Sequence, residues 1–234
     1  MRRALALIAV LALLALAGCT GTVSKADLAE NATYDWSTTE PVQLTVAGDT
    51  YRAVYTFENR STVELYTRDP LGQEHPLPIS ALYFRAPNGT VYNHTVIEVT
   101  ETGRRVRLQL PNRTGQLAVS APVSGERLTA RTVRTGAYRV RLPPNATVGL
   151  PVLSRVHPGN YTVERSGNRT AVVWSNVTSD RVAVQYYHER DPLLLVAFVA
   201  AVLLVIGAGG AYYLLTLRRL ERRRAEAGLD IERE

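Results

Sequence analysis

The chain has one cysteine, one methionine and one lysine among its 234 residues. The single cysteine, Cys19, excludes an internal disulfide and any cysteine-based metal cluster, so packing must hold the fold. Four histidines, His75, His94, His157 and His188, stand far apart, and no pair has metal-ligand spacing. There is no Gly-x-Ser-x-Gly elbow, no phosphate-cradling glycine loop and no His-Glu-x-x-His helix. Acidic residues are scattered without a recognisable catalytic pair. These absences point away from an enzyme and from any cofactor. Asparagine outside one motif is missing too. All nine asparagines, Asn31, Asn59, Asn88, Asn93, Asn112, Asn145, Asn160, Asn168 and Asn176, begin an Asn-x-Ser/Thr triplet, none with proline in the middle. With 33 serines and threonines in 234 residues, chance would place about one or two asparagines so. The triplet accepts N-linked glycan on exposed chain outside the cytoplasm.

Long charge-free runs occur only at the two ends. Arg2 and Arg3 precede the apolar run from Ala4 to Ala17, which exits through Leu16-Ala17-Gly18-Cys19. A basic start, an apolar stretch too short to span and a small-residue exit predict an export signal over 1–19. Leu-Ala-Gly-Cys also has the form of a prokaryotic lipobox, which makes Cys19 a candidate for lipidation. At the other end, Leu193 to Leu217 carries no charge, and a helix of that length reaches across a hydrocarbon core of about 30 Å. Arg218, Arg219, Arg222, Arg223 and Arg224 follow it and predict a cytoplasmic C-terminus. The expected order is a signal (1–19), a tether (20–39), an exterior region, a membrane helix (192–217) and a cytoplasmic tail (218–234). Every glycan triplet falls on the exterior side, and the tail has no asparagine.

Between the ends the pattern has period two. Tyr51, Ala53, Tyr55 and Phe57 alternate with polar or smaller neighbours, and Val106, Leu108 and Leu110 oppose Arg105, Arg107 and Gln109. Similar runs lie at 62–68, 82–85, 117–121, 138–142, 161–165, 170–174 and 181–187. Strict alternation predicts strands with one buried and one wet face. Turn chemistry separates them, as in Ala86-Pro87-Asn88-Gly89, Pro143-Pro144-Asn145 and Ser166-Gly167-Asn168. The predicted fold class is mainly β, an antiparallel β-sandwich-like exterior region with one C-terminal transmembrane helix. Pro122 to Gly125 is the expected division between two small lobes, 40–122 and 123–190.

Charge is uneven. From Thr102 to Asn145 there are nine arginines against the single acid Glu126. Arginine forks suit carboxylates, phosphates and sulfates. Arg104, Arg105, Arg107, Arg139 and Arg141 are therefore candidates for contact with acidic envelope glycan or another acidic partner. The same residues alternate with apolar ones, which also fits a merely solvated strand face. Nucleic acid is not indicated, because no stacking aromatics interleave these arginines.

Several strings, among them Glu30-Asn-Ala-Thr-Tyr-Asp-Trp36, Tyr51-Arg-Ala-Val-Tyr55, Asn59-Arg-Ser-Thr-Val-Glu-Leu-Tyr-Thr-Arg-Asp69, Pro87-Asn-Gly-Thr-Val91 and Tyr186-Tyr-His-Glu-Arg-Asp191, give the chain a family likeness. It resembles an uncharacterised family of haloarchaeal membrane-anchored surface proteins, classed as a domain of unknown function. The resemblance implies a place on an archaeal cell surface and assigns no activity. Three functional classes follow in order: a non-enzymatic, glycosylated envelope protein that binds surface glycan or a partner; an accessory subunit of a membrane complex in transport, secretion or envelope assembly; and, last, an exterior hydrolase. In the first two the partners are the lipid bilayer together with acidic envelope glycan or another membrane protein.

Overall fold

A computed structural model describes residues 23–69 and 71–226. The leader with Cys19, and the last eight residues of the expected tail, lie outside the described residues. The described chain forms two units, a β unit through Tyr187 and a helical unit from His188.

The β unit opens with a one-turn helix, α1 (Lys25–Leu28), whose cap is reciprocal: Asp27 donates its backbone N–H to the Ser24 hydroxyl at 3.1 Å and accepts the Ser24 N–H at 3.3 Å. Strands are numbered in chain order. The largest sheet has eight, in the order β14 (Thr162–Ser166), β15 (Arg169–Val177), β11 (Gly136–Arg141), β1 (Val42–Ala47), β2 (Thr50–Phe57), β9 (Gly115–Pro122), β5 (Ser80–Arg85) and β6 (Val91–Asn93). A second sheet runs β4 (Glu74–Pro76), β3 (Thr62–Arg68), β8 (Val106–Gln109), β7 (Glu98–Glu101). A third runs β10 (Arg127–Arg131), β16 (Arg181–Gln185), β13 (Arg155–His157). Two further short strands are β12 (Ala146–Thr147) and β17 (Tyr187–His188).

Alternation does what the pattern predicts. Tyr51, Ala53, Tyr55 and Phe57 are all buried, as are Tyr138, Val140 and Leu142. They join Val63, Leu65, Val106, Leu108, Leu128 and Val184 of the smaller sheets in one apolar cluster, so the core lies between the large sheet and the other two. Trp174 fills its β15 end, wholly buried, with its indole N–H donated to the Pro158 carbonyl at 2.9 Å.

Three expectations need correction. The division near Pro122 does not separate two lobes: β1 from the first half pairs with β11 from the second, Val42 opposite Tyr138, and the core draws on both halves. That same pairing is parallel, so the large sheet is mixed rather than antiparallel throughout. Alternation reports which face a residue takes and is blind to strand direction, and the long connection between β1 and β11 permits a crossover. The expected tether over 20–39 is not free chain. Residues 31–38 lie against the outer face of the large sheet, where Tyr34 is buried among Val54, Ala81 and Ala118, with Trp36 and Tyr83 beside it.

A backbone irregularity makes that docking possible. Between Ser80 and Tyr83 the register of β5 on β9 shifts, and Ala81 takes a left-handed φ of 50°. Its carbonyl accepts the Tyr34 hydroxyl proton at 2.6 Å, and the Tyr34 oxygen in turn accepts from Ser120 at 2.9 Å. Burial pushes the Tyr34 hydroxyl up to about 12, so it stays protonated and able to donate.

The helical unit is one continuous helix, α2 (Asp191–Glu226). Its stretch Asp191–Leu220 is long and apolar enough to cross a membrane. Pro192 sits in the first turn, where its missing N–H costs nothing. The Asp191 carboxylate accepts the His188 backbone N–H at 2.7 Å.

Candidate functional site

Two groups of arginines proposed from sequence end in different surroundings. Arg105 and Arg107 lie on β8 and the turn before it, opposite β3. Arg105 binds Glu64 and Glu74, each at 2.7 Å, and Arg107 binds Glu64 at 2.8 Å. Arg68 joins Glu74 at 3.0 Å, and Arg131 joins Asp180 at 3.3 Å. The Tyr66 ring lies under Arg105 and Arg131, 4.6 and 4.3 Å from its centroid. Glu64 is held below the usual carboxylate range by hydrogen bonds from Arg105 and then Arg107, and Glu74 by Arg105 and then Arg68. Arginine and acid nearly balance here, so this cluster ties β3, β4 and β8 together and leaves little charge for a ligand. Arg104 is exposed in the preceding turn.

Arg139 and Arg141 stand elsewhere. Because Tyr138, Val140 and Leu142 turn inward, the two arginines project from the outer face of the large sheet. Gln43 and Thr45 of β1 and Arg52 and Val54 of β2 project there by the same alternation. Residues 33–35 form one wall, and the β14–β15 hairpin with Arg165 and Arg169 forms the other, enclosing a groove of about 480 Å³. Five arginines line it against two acids, Asp35 and Glu164, and a third, Glu40, lies 3.7 Å from Arg139.

Within the groove, Arg141 donates to Asp35 at 2.7 Å and Arg139 to Glu164 at 2.6 Å. Arg141 holds the Asp35 carboxyl below its ordinary range, with the Ser37 and Gln43 hydrogen bonds reinforcing it. Arg52 donates to the Thr33 carbonyl at 3.2 Å and Arg165 to the Thr147 hydroxyl at 3.3 Å, neutral partners that leave their charge uncompensated. Two atoms of the floor are buried without partners, Gln43 Oε1 and Arg139 Nε. They belong to register partners on β1 and β11, one an acceptor and one a donor. Unpaired buried polar atoms cost about 1–3 kcal/mol each, and a water or ligand that reached the floor would relieve that cost.

The outer face of the third sheet is also basic. Arg127, Arg155 and Arg181 line a second groove of about 480 Å³ whose lining has no acid. It is bounded by one sheet face and lacks the opposing wall that residues 33–35 supply in the first groove.

Sequence alone could not assemble the first groove. Asp35 and Arg141 are 106 residues apart, and only the parallel β1–β11 pairing brings them together. Arg52, Arg165, Arg169 and Gln43 carried no signal beyond their alternation. All nine asparagines of the triplets are exposed. The carbonyl oxygens of Asn88, Asn93 and Asn112 each accept the backbone N–H two residues on, at 3.1 Å, so these acceptors sit in tight turns. Asn59 and Asn145 take left-handed φ angles of 57° and 59°, which asparagine tolerates better than most residues.

Residues 38–232 match a family described as Family of unknown function (DUF5803). The chain belongs to that family. The matched span takes in nearly all of the β unit and α2, so sheet and helix together are the family's unit. No curated protein and no solved structure matches the chain.

Proposed function

We propose that this is a membrane-anchored, N-glycosylated protein of an archaeal cell surface whose β unit binds acidic envelope glycan in the groove between residues 33–35 and the β14–β15 hairpin. It is not an enzyme in this reading. The observation that carries it is the excess of arginine in a walled groove: five guanidinium forks converge there, and Asp35, Glu164 and Glu40 do not balance them. Charged polymer in the envelope would meet this groove on the exterior side. That orientation is supported by the arginines after Leu217 and by the nine exposed asparagines of the glycan triplets, all before the helix. The haloarchaeal likeness and the Leu-Ala-Gly-Cys exit fit the same picture, with Cys19 carrying a lipid and α2 serving as a second anchor.

Binding of purified full-length protein to polygalacturonate tests the groove. Screening weakens contacts between exposed charges, so affinity should fall steeply as salt rises. Removing three arginine charges, half-buried at Arg52 and exposed at Arg165 and Arg169, at about 0.2–1 kcal/mol each predicts roughly a tenfold loss for the R52A/R165A/R169A variant. The R127A/R155A/R181A variant removes equal charge from the third sheet and should bind nearly as well as the parent. Equal losses in both variants, or no binding at low salt, would overturn the groove as the site.

A further inference from the structure

The large sheet has two open edges. β14 pairs only with β15 and β6 only with β5 among the described residues. All five residues of β14 are exposed, including Val163 at 41%. An exposed edge presents unpaired N–H and C=O groups to any strand that approaches, and a second copy of the same chain is the nearest source. Anchoring in one membrane raises the local concentration of such copies.

Other edges in the β unit are blunted in ordinary ways. β4 and β13 have three residues each, as does β6 of the large sheet, and Pro158 follows β13 directly. β7 has four, and Glu101 at its end accepts the Val23 N–H at 2.8 Å. β10 lies beside the Tyr66 ring through Arg131. The edges of the large sheet have a different feature. Asn160 precedes β14 by two residues and Asn168 follows it by two; Asn88 precedes β6 by three and Asn93 is its last residue. Both ends of both open edges thus carry a glycan acceptor, and all four side chains are exposed.

We propose that glycans on Asn88, Asn93, Asn160 and Asn168 cap the open edges of the large sheet and keep neighbouring copies from pairing edge to edge. This rests on the glycosylated reading above. A five-residue strand is only about 17 Å long and a partner strand must come within about 4.8 Å, so bulky sugar at both ends blocks the approach.

The test uses full-length protein made in N-glycosylating cells and purified in detergent. Peptide mass spectrometry reads occupancy, and light scattering reads the mass of the protein component. Wild type should carry glycan at all four edge sites and be monomeric. The N88Q/N93Q/N160Q/N168Q variant should at least double in mass with rising concentration, while N31Q/N112Q/N176Q stays monomeric. Enzymatic removal of glycan from folded wild type should reproduce the doubling, which separates edge pairing from a folding defect. Bare acceptors at all nine sites in wild type would remove the glycan reading and this inference with it, and bare edge sites beside occupied others would overturn the inference alone. Occupied sites with an edge variant and a stripped wild type that stay monomeric would overturn the inference alone, as would equal association of both variants.

Discussion

Replacing Tyr34 by phenylalanine isolates the contact that seats residues 31–38 on the large sheet. The ring and its neighbours, Trp36 and Tyr83 at 5.9 Å each, are kept. What disappears is the donor to the Ala81 carbonyl and the acceptor for the Ser120 hydroxyl. Both partners are buried, Ala81 at 1% exposure and Ser120 at 6%, so water does not readily replace the lost oxygen. Leaving a buried polar group unsatisfied costs about 1–3 kcal/mol. Ala81 also holds a left-handed backbone that alanine disfavours, and the Tyr34 hydroxyl is the group that fastens its carbonyl. A loss of about 2 kcal/mol lowers Tm by roughly 4–8 °C for a unit of this size. Thermal unfolding of the full-length protein in detergent, followed by near-ultraviolet circular dichroism, reads it. A double-mutant cycle with Ser120→Ala should show coupling of at least about 0.5 kcal/mol, since the two hydroxyls share one hydrogen bond. An unchanged Tm, or strict additivity with S120A, would refute the docking of residues 31–38 and remove one wall of the groove.

Gly115→Ala should cost about 2–3 kcal/mol, because an added Cβ would meet the Arg85 carbonyl oxygen and the Phe84 ring, each at 2.5 Å, and the backbone cannot retreat; a chemical-denaturation midpoint within error of wild type would contradict this. Trp174→Ala should cost about 3–5 kcal/mol through the cavity it leaves and the orphaned Pro158 carbonyl, again read by denaturant midpoint. Acid should loosen the β unit. Asp35, Glu64 and Glu74 are all held low by arginine, so the stability they supply is present above their unfolded values of about 4 and is lost as pH falls through the lower folded values. The Tm of wild type should therefore drop below about pH 4, and Glu64→Gln should flatten that drop.

Local pattern reached the strands and stopped at their arrangement. The runs at 62–68 and 138–142 lie where β3 and β11 form, because burial of alternate residues is a property of a few neighbours. β4, β6, β7, β12 and β13 have two to four residues, too few to establish a period. Residues 31–38 hide their role for a related reason. Tyr34 and Trp36 are two apolar rings in a polar stretch, and only the shifted register of β5, far along the chain, creates the place they fill. The arginines show the same limit. Arg105 and Arg139 look alike in sequence, each next to an inward-facing hydrophobe. Glu64 and Glu74 pair with the first through adjacent strands, while the second meets Glu164 and Glu40 in a groove whose walls come from both ends of the β unit.

The most direct measurement is hydrogen–deuterium exchange of the full-length protein with and without saturating polygalacturonate at low salt. Exchange should slow in peptides covering residues 33–45, 138–142 and 163–171, with the third sheet unchanged. Protection confined to 127–131, 155–157 and 181–185, or none anywhere despite measured binding, would contradict binding in the groove.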